Sequence, residues 1–119
     1  MGYRDQMALY LMNVLTIEVN ERGYVSLDLT DRIGWHDFPS FADRVVSLIG
    51  AAVLIKNKVV DMHLWDLQLN EVSICIVFQD FPVMTSLESA DPNGYATLEN
   101  VRQFLMQERH KHWGEPSST

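Results

Sequence analysis

The chain has 119 residues and a formal charge of −7, long enough to bury one core without disulfides or metals. That charge repels phosphate backbones and anionic lipid, so direct nucleic-acid or membrane binding is disfavoured and a basic protein is the partner it attracts. The apolar share of 47% and charged share of 21% belong to a globular protein, not a disordered one.

Residues 1–13 read as an N-terminal extension or a leading strand. The apolar run "MALYLMNVLTI", Met7 to Ile17, follows Arg4 but has no small-residue cleavage site and is too short to span a bilayer. The expected location is therefore the cytoplasm, and the lone Cys75, set among Ile74, Ile76 and Val77, suits packing in a reducing compartment.

A single domain is expected over residues 14–109. It opens with alternating Leu15, Ile17 and Val19, then Val25, Leu27 and Leu29, two strands around "NERG", whose Asn20 and Gly23 tolerate the backbone of a tight turn. In "DFPSFADRVVSLIG" the period becomes helical. Phe38, Phe41, Val45, Leu48 and Ile49 share one face, Asp37 stands at the N-cap, Pro39 in the first turn and Gly50 at the stop.

"AAVLI" then predicts a short buried strand, with Lys56 to Lys58 as its turn. In "DMHLWDLQLNEVSICIVFQ" a two-residue turn at Asn70-Glu71 places Leu69 opposite Val72, Leu67 opposite Ile74, Trp65 opposite Ile76 and His63 opposite Phe78. "QDFP" makes a further turn and "VMTSLES" a strand. After the loop "ADPNGYA", a helix begins near Thr97 with Leu98, Val101, Phe104 and Leu105 on its apolar side. Residues 110–119 read as a flexible tail.

The fold expected from this order is α+β: a two-layer sandwich in which two helices pack on one face of an antiparallel sheet of five or six strands. The opposite face then carries Met62, Leu64, Cys75 and Val77, with Asp66, Gln68 and Glu88 around them.

Three groupings resemble chemical sites, and none has enough parts. Asp61 and His63 alternate on one strand but are too few for zinc. His36 beside Asp37 is a turn and N-cap, with Trp35 as a lid on the core. His110 and His112 point apart on a helix, and Glu108 with His112 lies where fraying is expected. No phosphate loop, nucleophile elbow or Cys pair occurs. No catalytic, cofactor-binding or metal-binding residue is assigned, and the expectation is a protein that is not an enzyme.

In size, acidity and element order the chain resembles the small α+β immunity proteins of bacterial toxin and contact-dependent inhibition systems, and with the strand "HLWDLQL" followed by the aliphatic "VSICIVF" it is similar in element order to other small bacterial proteins. The resemblance implies an inhibitor that covers the active surface of a basic toxin. The partner-facing residues expected here are Met62, Leu64, Asp66, Gln68, Glu71, Asp80 and Glu88. Two alternatives stand beside it: a small-molecule or regulatory domain with a pocket between helices and sheet near His36 and His63, and a homodimer through the open face or an edge strand.

Overall fold

The structure, a computed structural model, describes residues 3–113. Six strands form one open sheet in the order β1-β2-β6-β5-β4-β3, antiparallel at every pairing. Three helices accompany it, so the fold is α+β. The elements are α1 (Tyr3–Leu11), β1 (Thr16–Val19), β2 (Val25–Thr30), α2 (Phe38–Ile49), β3 (Ala52–Val59), β4 (Met62–Leu69), β5 (Val72–Asp80), β6 (Val83–Ser89) and α3 (Gly94–Trp113). Among the described residues no helix is long and apolar enough to cross a membrane.

Turn chemistry sets the central hairpin. Asn70 and Glu71 both take positive φ, 49° and 69°, the conformation of a two-residue turn whose twist matches that of the strands it joins. The expected pairs, from Leu69 with Val72 to His63 with Phe78, form in that register. Because side chains alternate along a strand, His63, Trp65, Leu67 and Leu69 of β4 and Val72, Ile74, Ile76 and Phe78 of β5 enter the core together.

Helix α2 also follows its sequence signals, with one difference. Asp37 occupies the N-cap without making a side-chain cap bond; its carboxylate accepts the Gly34 N–H at 3.1 Å instead. Gly50 ends the helix in the left-handed region at φ 74°, which a residue with a Cβ reaches only with strain. Phe38, Phe41, Ala42 and Val45 are buried, and Leu48 and Ile49 pack partly against the same core.

Four expectations are corrected. Residues 3–11 form a helix rather than a leading strand, and Ala8, Leu9 and Met12 are buried in the core. Their spacing of three and four is helical, but the continuous apolar run hides it. The reversal after α2 comes at Val60-Asp61, so Lys56–Lys58 lie within β3. As the edge strand of the sheet, β3 tolerates lysines there, and Lys56 sets its ammonium 4.2 Å from the Trp65 ring centre. Helix α3 starts at Gly94, not Thr97, and it runs on through His110 to Trp113, where a flexible tail was expected. Residues 114–119 of that tail lie outside the described residues.

Candidate functional site

Pairing across the sheet converts the sequence alternation into a surface. On the face turned away from the buried core residues, one cross-strand row reads Glu18, Ser26, Glu88, Cys75, Asp66 and Ile55, each paired with the next. The adjacent row reads Thr16, Asp28, Ser86, Val77, Leu64 and Asn57, with Ser86 and Val77 at its middle buried, and beyond it Met84, Gln79, Met62 and Val59 form a third. The surface is therefore graded. Carboxylates dominate one end, and aliphatic and thioether side chains the other, where Phe81 and Val60 stand 86% and 100% exposed at the hairpin tips.

No Lys or Arg falls in these rows, and none of Glu18, Asp28, Asp66 and Glu88 has an ion-pair partner among the described residues. Hydroxyl groups are their local partners: Ser26 donates to Asp28 at 3.1 Å and Ser86 to Glu88 at 3.0 Å. Ser26 stands between Glu18 and Glu88, and Cys75 between Glu88 and Asp66, so successive carboxylates of the row are two strands apart. The Asp28 carboxyl is raised above its ordinary value, first by burial and then by the nearby Glu18 charge, against the Ser26 hydrogen bond. Burial pushes the Cys75 thiol up to about 11, and the charges of Glu88 and Asp66 add to the effect. At neutral pH the thiol is protonated, so it is a poor nucleophile and metal ligand.

Of the residues expected to meet a partner, the structure gathers Met62, Leu64, Asp66, Gln68 and Glu88 on this face. Two lie elsewhere. Glu71 is in the turn at one end of the β4–β5 hairpin, while Asp80, paired with Val83, shares the alternation of Phe78 and so points to the other side of the sheet. Sequence reasoning missed Glu18 and Asp28. Their alternation was visible, but their arrival beside Glu88 depends on β2 pairing with β6, which no local signal announces.

The other candidate residues separate. His63 is buried between rings, 4.7 Å from Phe38 in a stacked arrangement and 3.9 Å from Trp35, and its Nε2 lies 3.1 Å from the Trp35 carbonyl. Trp35 is thus the expected lid. His36 is exposed and lines a different place, a cleft of about 510 Å³ formed by α1, α2 and the loop between β2 and α2. No strand residue lines that cleft, so it is not the pocket between helices and sheet near both His36 and His63. Among the described residues, no group of three or more His, Cys, Asp or Glu is placed to hold a metal ion.

His63 makes folding sensitive to pH. Burial lowers its pKa below the ordinary 6.5, the charges of Lys58 and His36 push in the same direction, and the Trp35 carbonyl opposes them. The unfolded chain therefore takes up a proton near pH 6.5 while the folded chain does not, and stability falls as pH drops below that value. Urea titrations at pH 7.5 and pH 5.5 are expected to show the wild type weaker at the lower pH, and His63→Phe to lose most of that difference. An undiminished difference in the variant removes His63 as the cause.

No curated protein and no solved structure matches the chain. Residues 15–108, which hold every strand and most of α3, match the family described as "Protein of unknown function (DUF3630)", and the protein belongs to that family.

Proposed function

We propose that the protein is a non-enzymatic binding protein that receives a basic protein on its carboxylate-bearing sheet face, in the manner of an immunity protein covering a toxin. A two-layer arrangement, with the helices on one side of the sheet and the other side left open, is part of this reading. One observation carries it: Glu18, Glu88 and Asp66 stand in one cross-strand row, Asp28 in the next, with no cation among them. Carboxylates gathered on one face without counter-ions give it a negative potential, which steers the approach of a partner's Lys or Arg. The apolar end, with Met62, Met84 and Leu64 half-buried, offers adaptable contact to the same partner. A cytoplasmic site of action accords with the protonated, unpaired Cys75.

The test is affinity capture from the native host, identification of the captured protein, and titration with purified components. A basic partner is expected, with affinity that weakens steeply with salt. The double variant Asp66→Lys, Glu88→Lys is expected to lose about 100-fold or more, since like charges set against each other at an interface cost several kcal/mol. A partner that is not basic, or an affinity unchanged by charge reversal, counts against the proposal. A homodimer through this face would appear instead as a doubled mass in light scattering.

A further inference from the structure

We infer that the cleft between α1 and α2 is a binding site for a small organic oxyanion, a carboxylate or phosphate head on a short apolar body. Met7, Ala8 and Leu11 of α1 form one wall, and Ile33 and Phe41 continue it. Its volume, about 510 Å³, lies in the range of small-molecule sites, which are typically apolar with a few convergent polar groups. The polar groups here are cationic. Arg32 and Arg44 both line the cleft, and neither guanidinium has an ion-pair or hydrogen-bond partner among the described residues.

Arg44 carries the argument furthest. Its Nε is shut off from solvent and out of a ligand's reach, but its terminal guanidinium nitrogens keep solvent access and have no partner among the described residues. The chain has nine Lys and Arg against sixteen Asp and Glu, yet it leaves these two cations without carboxylate partners beside an apolar wall. Planar guanidinium donors match the oxygens of carboxylates and phosphates in pairs. Ser40 adds a hydroxyl at the cleft. Asp37, also at its edge, opposes an anion, but its Oδ2 is occupied by the Gly34 N–H. The ligand's apolar body lies against Leu11 and Phe41, and its head between the arginines.

This inference is independent of the sheet-face proposal, because the cleft shares no residue with those rows. Two-dimensional amide NMR of the full chain tests it, with sodium octanoate, inorganic phosphate and neutral octanol as probes. Octanoate is expected to bind saturably, moving resonances of Ile33, Ser40, Phe41 and Arg44. Arg32→Ala, at an exposed position, is expected to weaken it about tenfold, as loss of a charge-assisted pair does. Asp37→Asn is expected to tighten it. Phosphate moving the same arginine-side resonances more weakly supports recognition of the head group. Octanol binding as well as octanoate, or octanoate binding unaffected by Arg32→Ala, overturns anion recognition, and the lack of any saturable shift in the cleft overturns the site.

Discussion

Replacing Phe38 by Ala is expected to cost about 3–5 kcal/mol of folding stability, the range for removing a fully buried aromatic ring. The reason lies in what the ring touches. Phe38 is 0% exposed in the first turn of α2, stacked on His63 at 4.7 Å, edge-on to Trp65 at 5.4 Å and tilted toward Phe78 at 6.2 Å. Those partners lie on β4 and β5, so the ring joins α2 to two neighbouring strands and supports the imidazole over which Trp35 closes. Rings at these separations add about 0.5–1.5 kcal/mol per pair beyond their buried area. With small domains stable by only about 5–15 kcal/mol, the variant should approach marginal folding. Urea denaturation followed by tryptophan fluorescence measures it, and a loss below about 1 kcal/mol would show that the aromatic cluster collapses to fill the space.

Gly94→Ala is the second substitution expected to act strongly, at about 1–3 kcal/mol, because it forces an extra carbon into a filled corner. A Cβ at this position would run into the Oγ of Ser89 and come within 2.7 Å of its Cβ. Ser89 has little room to yield. Its hydroxyl donates to the Ser73 carbonyl at 2.7 Å and accepts the Asp91 N–H at 3.1 Å, while Asp91 accepts the Ser73 N–H at 3.3 Å and caps Asn93 at 2.9 Å. This network fastens the end of β6 to β5 and sets where α3 leaves the sheet. A reduced denaturation midpoint with an unchanged slope is expected. A midpoint equal to that of the wild type would mean that the corner relaxes without cost.

The same corner explains why α3 starts earlier than its sequence signals. "ADPNGYA" carries the residues of a loop, and a glycine is a poor helix former. Its place in the first turn is dictated by Ser89 lying against it, a contact between residues that local propensity does not register. Strand β3 runs longer than its sequence signals for a related reason. Lys56 and Lys58 read as a polar turn, whereas an edge strand has one side unpaired and can carry such side chains, with Lys56 lying over Trp65 and 3.9 Å from Asp43.

By itself the sequence determined the local geometry: the β4–β5 hairpin and its register, the face of α2 that is buried, and the separation of His63 from Cys75 onto opposite sides of the sheet. These follow from side-chain period and turn chemistry, which act between residues close along the chain. Only the tertiary structure decided that β2 lies beside β6 and so brings Glu18 and Asp28 onto one face with Glu88 and Asp66. Only it built the arginine-lined cleft, by packing α1 against α2. Those arrangements follow from burying apolar faces together across long stretches of chain, and the energy of that burial depends on partners that no short segment contains.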